Sequence, residues 1–141
     1  MNTLPVLSYD PREQILFVGF AGLQLTSEDD IDAAFYAVRR GWEGACRGKR
    51  VYCVVDYTGF SFPTRLSEHY AKCVKHAVET YSITTVRYTN DVALRTALRV
   101  MSMKIHSPSN LYSTKEDAIQ VVRGLRAKRI RLAGAESAPS K

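Results

Sequence analysis

Residues 50–57 (RVYCVVDY) form the stretch that decides the fold. The centre of this stretch is continuously apolar, which is typical of a strand buried on both faces of a sheet. Strands of that kind occur where helices cover both sides, in folds that alternate strands with helices. The stretch therefore predicts the central strand of an α/β domain.

Further strands and helices alternate on either side of this strand. Two β-rich runs, residues 4–10 and 14–20, flank the turn-forming Pro11 and predict an opening antiparallel hairpin. Residues 84–89 and 111–112 predict two later strands. The element order is ββαβαβαβα, a mixed, mostly parallel five-stranded sheet with an opening antiparallel hairpin.

Four helices are predicted from apolar side chains at helical spacing and from capping residues. The first helix should end in the left-handed conformation at Gly44 or Gly48. Glu116 would complete a capping box at the start of the fourth helix. The predicted helix starts are, in chain order, Thr26 or Ser27, Pro63, Asn90 and Ser113.

The net charge of +6 lies mostly at one end of the 141-residue chain. Residues 123–141 contribute +5 of it, because they hold six Lys or Arg and one Glu. We therefore predict one α/β domain over residues 1–127 and a basic, disordered tail over residues 128–141. A nearly neutral domain does not predict nucleic-acid binding.

Cysteine usage and hydropathy predict a cytoplasmic protein without membrane insertion. Cys46, Cys53 and Cys73 lack the paired spacing of a disulfide framework, and Cys53 is expected to be an inert core thiol. The longest apolar run, residues 15–23, is too short to span a bilayer. The sequence holds no phosphate-binding loop, dinucleotide-binding glycine motif or serine-hydrolase motif, so no cofactor is expected.

The first candidate site is residues 56–64 (DYTGFSFPT), where the central strand ends and the second helix begins. Ligands of open α/β sheets bind outside the carboxyl ends of strands, and helix N-termini offer free N–H groups to anions. Asp56, Tyr57 and Thr58 suit recognition at this corner. The alternative is that Asp56 and Thr58 only cap the turn.

The second candidate site follows the next strand, at Tyr88 and Asn90. Arg87 and Arg95 flank this corner and could clamp a phosphate or carboxylate between two guanidinium groups. The alternative is that Arg87 forms a structural ion pair with Asp56 on the neighbouring strand.

His69, Cys73 and His76 follow one another at helical spacing on the second helix. Their side chains suit zinc, but one helix cannot easily close a tetrahedral site, and the sequence offers no obvious fourth ligand. We therefore predict no metal site.

The first corner resembles the signature region of STAS/SpoIIAA-like domains, in which a strand ends in Asp, a hydroxyl residue and Gly. A closer resemblance, over most of residues 14–122, is to the SpoIIAA-like module at the C-terminus of some family I acyl-CoA transferases. It is carried by residues 56–60 (DYTGF), by 85–89 (TVRYT) running into 93–95 (ALR), and by 112–118 (YSTKEDA). This resemblance implies a STAS/SpoIIAA-like fold and a link to acyl-CoA metabolism.

Two departures limit what the resemblance implies. STAS proteins of the antisigma-antagonist branch have a phosphorylatable Ser at the start of the second helix, where this chain reads residues 63–66 (PTRL). Thr64 is the candidate for an equivalent phosphorylation. The domain that holds the transferase's catalytic glutamate has no counterpart here, so the resemblance implies no catalysis.

The sequence predicts a non-enzymatic binding or regulatory module that recognises an acidic small molecule or a partner protein. An alternative is a protein-interaction switch regulated by phosphorylation near Thr58, Ser61 or Thr64. An enzyme that uses Asp56 or a Tyr as acid or base is a further alternative, and apolar surface on the hairpin is compatible with a homodimer. The predicted ligand-binding residues are Asp56, Tyr57, Thr58, Arg87, Tyr88, Asn90 and Arg95.

Overall fold

Five strands and four α-helices alternate along residues 4–137, the part of the chain that the computed structural model describes. The strands are β1 (Val6–Asp10), β2 (Ile15–Gly19), β3 (Val51–Asp56), β4 (Ser82–Tyr88) and β5 (Leu111–Tyr112). The helices are α1 (Glu28–Cys46), α2 (Ser67–Tyr81), α3 (Val92–Lys104) and α4 (Lys115–Ser137). This order confirms the predicted α/β class.

The sheet order follows the chain order, β1-β2-β3-β4-β5. β1 pairs antiparallel with β2, and the other neighbouring strands are parallel. Because parallel crossovers are right-handed and always step in the same direction, α1, α2 and α3 cover one face of the sheet. We call this the three-helix face, and the opposite side, which α4 covers, the α4 face.

The register of β3 and β4 decides which side chains lie on each face. Val55 pairs with Arg87, and Asp56 pairs with Tyr88. Because neighbouring side chains of a strand point to opposite faces, Arg87 lies on the three-helix face and Tyr88 on the α4 face. The predicted site residues Arg87 and Tyr88 therefore lie in different layers of the molecule.

The first helix begins as predicted and ends between the two predicted positions, Gly44 and Gly48. The Ser27 hydroxyl accepts a hydrogen bond from the backbone N–H of Asp30, as an N-cap does. The helix runs through Gly44, which was a predicted end, to Cys46. Arg47 then adopts the left-handed conformation, with φ of 53°, and its N–H donates to the Glu43 carbonyl.

The starts of the other three helices differ from the prediction by a few residues. A 3₁₀ turn (Thr64–Leu66) precedes α2, so Pro63 is not its first residue. Asp91, and not Asn90, caps α3, because Thr89 Oγ1 accepts from the Asp91 N–H and shifts the turn by one residue.

The start of α4 also differs. The hydroxyl of Thr114 accepts from the Asp117 N–H and caps this helix. Ser113, the predicted cap, instead accepts a hydrogen bond from Arg95. A tertiary contact has thus taken the hydroxyl that sequence alone assigned to the helix.

The C-terminal helix is longer than expected. α4 continues to Ser137, so residues 128–137 are helical where the sequence predicts a disordered tail. Residues 138–141 of that predicted tail lie outside the described residues. Within residues 4–137, no helix is long and apolar enough to cross a membrane.

The three-helix face carries the larger core. Phe20, Tyr57, Phe60 and Tyr70 form an aromatic cluster there, together with Phe35. The α4 face has a small core whose buried members are Ile15, Tyr52, Val54, Val86, Ala118 and Val122. Ala97 and Leu125 are exposed, although the helical spacing of apolar residues predicts that both face inward.

Candidate functional site

The corner that follows β3 is built around Asp56. Its Oδ1 accepts a hydrogen bond of 2.9 Å from the backbone N–H of Thr58. On the α4 face, burial and a hydrogen bond to the same carboxylate raise the pKa of Tyr88, which therefore keeps its phenolic proton. The Asp56 carboxylate therefore caps the turn, which was one of the two roles expected for it. The hydroxyl-bearing Thr58 is exposed.

This corner is fixed to the loop between β2 and α1. The backbone N–H of Gly22 donates to the Thr58 carbonyl at 2.8 Å, and the N–H of Ser61 donates to Leu23 at 3.0 Å. Gly59 makes the bend with φ of +68°, a conformation that residues with a Cβ rarely adopt. The loop is therefore held in one conformation by backbone hydrogen bonds.

Tyr57 points into the protein. Its side chain is 2% exposed, and its hydroxyl forms a 2.7 Å hydrogen bond with the hydroxyl of Tyr70. The ring packs against Phe60, with the centroids 5.0 Å apart. Tyr57 therefore lies inside the protein and not on the exposed corner at which the sequence predicts it to take part in recognition.

Arg87 is also buried, with 2% of the residue exposed. Its Nη1 donates to the carbonyl of Ser109 at 3.1 Å, and its Nε has no acceptor among the described residues. The expected ion pair with Asp56 is wrong, because the two side chains lie on opposite faces of the sheet. Within residues 4–137, no carboxylate forms a salt bridge with Arg87.

A cavity of about 50 Å³ lies beside Arg87, between the sheet and helices α1 and α2. Most of its walls are apolar. Burial raises the pKa of Cys53 in the wall to about 12, so this thiol stays protonated, as predicted for a core thiol. Other residues that line the cavity include Val18, Phe35, Tyr57, Val74, Tyr81, Ser82 and Thr85.

Arg95 and Asn90 lie away from this cavity. Arg95 donates from Nη1 to the Ser113 hydroxyl at 3.1 Å, and Asn90 is exposed. Arg87 contacts Ser109 before β5, whereas Arg95 contacts Ser113 after it. Four residues of extended chain span as much as about 13 Å. The contacts therefore do not support the predicted clamp, in which both guanidinium groups hold one anion.

Two of the three hydroxyls predicted as phosphorylation sites lie at a separate groove. Ser61 and Thr64 are exposed on one wall of an open groove of about 410 Å³. Asp91, Val100 and Lys104 of the α3 region line the other wall. Both hydroxyls are therefore accessible to solvent, and the positively charged side chain of Lys104 lines the same groove.

No protein-family model, curated protein or solved structure matches the chain. The resemblance to STAS/SpoIIAA-like domains therefore stays a prediction from the residues that carry it.

Sequence reasoning missed most of the residues around Arg87. Thr85 lies two positions before Arg87 on β4, so the period-two alternation of strands could have placed both on one face. For Tyr70, the sequence indicates only that it is one of the apolar residues at helical spacing in α2. Its contact with Tyr57 joins a helix to a strand end, and nothing local in the sequence signals it.

Proposed function

We propose that the protein is a non-enzymatic binding module of STAS/SpoIIAA-like type that takes a short acidic molecule into the cavity beside Arg87. The observation that carries this proposal is the state of Arg87, which is buried and has no carboxylate partner among the described residues. Two of the seven predicted ligand-binding residues, Tyr57 and Arg87, line this cavity.

The energetics of a buried guanidinium favour an anionic ligand. Arginine stays protonated at all pH values at which proteins fold, so Arg87 cannot shed its charge. Even after relaxation, taking such an ion out of water costs several kcal/mol unless an opposite charge accompanies it. A ligand carboxylate would supply that charge, and it would accept a hydrogen bond from the Nε that has no acceptor.

The size and walls of the cavity favour a short aliphatic acid. About 50 Å³ holds a few water-sized groups and is too small for a nucleotide or a whole acyl-CoA. A second depression of about 210 Å³ lies on the outside of α1 and α2. Phe35, Ala77 and Tyr81 line both spaces, so rotation of the Phe35 or Tyr81 ring would widen the path between the cavity and solvent.

The test is thermal unfolding in the presence of straight-chain monocarboxylates from acetate to hexanoate, with alcohols of equal length as uncharged controls. We expect the acids to raise Tm, by roughly 5 to 10 °C at a hundredfold excess over Kd, and the alcohols to have no effect. Arg87→Met keeps the length of the side chain and removes its charge. This variant should be at least as stable as the wild type and should lose the effect of the acids.

Arg95→Met is the matched control, because Arg95 also has an Nε without an acceptor but lies away from the cavity. It should keep the full Tm shift. The proposal is wrong if Arg87→Met retains the shift, or if acids and alcohols act alike. Loss of stability in Arg87→Met without any acid effect in the wild type would make Arg87 a structural residue.

A further inference from the structure

A second cluster of reactive side chains lies outside the cavity, on the solvent side of α1 and α2. Asp32 of α1 contacts His69 of α2, with 2.6 Å between Oδ1 and Nε2. Cys73 Sγ lies 3.9 Å from each of these two atoms. The sequence predicts no metal site because a single helix cannot easily supply all the ligands of a tetrahedral ion. In the structure, α1 supplies a carboxylate as a further ligand.

The three atoms are spaced almost as the ligands of one metal ion would be. Zinc binds nitrogen and oxygen at about 2.0 Å and sulfur at about 2.3 Å, in tetrahedral geometry. Those bond lengths require about 3.3 to 3.5 Å between ligand atoms. The observed separations of 2.6 and 3.9 Å lie on either side of this range, so shifts of under about 1 Å would form the site.

The other nitrogen of His69 is held as in known metal sites. Nδ1 lies 3.1 Å from Oε1 of Glu28, one turn before Asp32 on α1. Metal-binding histidines usually donate their second N–H to a carboxylate, which orients the ring and leaves the other nitrogen free for the ion. Glu28 therefore orients the His69 ring so that Nε2 faces Asp32 and Cys73.

We propose that Asp32 Oδ1, His69 Nε2 and Cys73 Sγ bind a Zn²⁺ ion, with water in the fourth position. Thiolate and imidazole select zinc over Mg²⁺ and Ca²⁺, which prefer oxygen ligands only. The Asp32 side chain is 58% exposed and that of His69 27%, so an ion can enter from solvent.

Binding must release the proton of the Cys73 thiol to solvent. Burial and the neighbouring Asp32 raise the pKa of Cys73 to about 11, so the thiol is protonated in the metal-free protein. The cation replaces this proton on sulfur, and no oxidant or reductant is involved.

The experiment is titration of the full-length, metal-free protein with Zn²⁺ in competition with a coloured chelator. A parallel titration uses Co²⁺, whose bond to a thiolate gives a charge-transfer band in the near ultraviolet. We expect one ion per chain and a cobalt–thiolate band. His69→Gln and Cys73→Ser should abolish tight binding, and Cys73→Ser should abolish the band.

His76→Gln is the matched control, since His76 is an exposed histidine of the same helix outside the cluster. It should bind like the wild type. Glu28→Gln should weaken binding by about 10- to 100-fold while keeping the cobalt band, because Glu28 orients His69 and does not touch the ion.

Three outcomes would overturn the proposal. The first is binding that survives Cys73→Ser or His69→Gln unchanged. The second is cobalt binding without a thiolate band. The third is no stoichiometric binding by the wild type, which would leave His69 as an ion-pair partner of Glu28 and Asp32. Unfolding curves of each variant establish that a lost signal is not a lost fold.

Discussion

At the rim of the α4 face, Arg123 and Arg126 hold Glu13 between them, whereas on the three-helix face Arg87 lies buried with no carboxylate partner among residues 4–137. Each of the two ion pairs to Glu13 has an N–O distance of 2.8 Å. Arg123 is about half exposed, so water shares in its solvation. Arg87 has neither solvent nor a carboxylate among the described residues.

This difference separates two uses of an arginine. The two arginines at the rim of the α4 face are both paired with Glu13, and they need no ligand to explain them. Stability does not explain Arg87, because an apolar side chain of similar size would usually serve the fold as well or better. The three-helix face is therefore where we expect the structure to trade stability for recognition.

The largest effect that we expect from a single change on the three-helix face comes from its buried hydroxyl pair. Tyr57→Phe leaves the hydroxyl of Tyr70, a residue with 0% exposure, without its 2.7 Å partner. The free energy of unfolding should fall by about 1 to 3 kcal/mol, as measured by urea denaturation.

The double variant Tyr57→Phe with Tyr70→Phe is the control for this prediction. It removes both hydroxyls and leaves neither unpaired, so its cost should be well below the sum of the two single changes. Strict additivity would mean that the two hydroxyls do not stabilise each other. The polar interior of this face would then need another explanation.

Adding one methylene to a buried valine should change the free energy of unfolding by a smaller amount. The sign of this change should differ between the two faces. Val74 lines the cavity, whereas Val122 is fully buried in the small core of the α4 face. Val74→Ile should raise the free energy of unfolding by up to about 0.8 kcal/mol, because the methylene fills existing space. It should also reduce the Tm shift caused by short acids.

Val122→Ile is the matched change on the α4 face. There the extra methylene enters a packed core and should lower the free energy of unfolding by about 1 kcal/mol or more. Urea denaturation of both variants compares the two values directly. If the changes have the same sign, the faces do not differ in packing as the cavity implies.

The predictable part of this fold is the part that local pattern determines. The apolar run at residues 50–57 predicted the central strand, and the spacing of apolar residues predicted four helices in the right order. Ser27 was also identified correctly as a cap, because acids follow it in the first turn of α1. Each of these features depends on residues that are close in sequence.

The missed features depend on contacts between distant segments. Asn90 and Asp91 can each cap a helix, and the hydroxyl of Thr89 decides between them. The direction of Arg87 follows from the register of β4 against β3, which the sequence does not specify. Asp32 and His69 are 37 positions apart, so no local spacing could reveal their contact.

The smallest expected effect concerns Glu13, which lies at the surface. Hydrogen bonds from Arg123 and Arg126 lower its pKa from 4.5 to about 2. Because the folded-state pKa is the lower one, the stabilisation is complete above about pH 5 and is lost as the pH falls towards 2. In thermal scans, Glu13→Gln should be slightly less stable than the wild type at neutral pH, and the gap should close across that window.

Arg87→Met provides the comparison that links this test to the other face. Neither arginine nor methionine changes its charge across this pH range, so the difference between this variant and the wild type should not follow the Glu13 window. Added salt should also shrink the effect of Glu13→Gln, because exposed charges are screened, and should leave that of Arg87→Met nearly unchanged. If both variants respond alike to pH and salt, Arg87 is solvated in solution, and the contrast between the two faces fails.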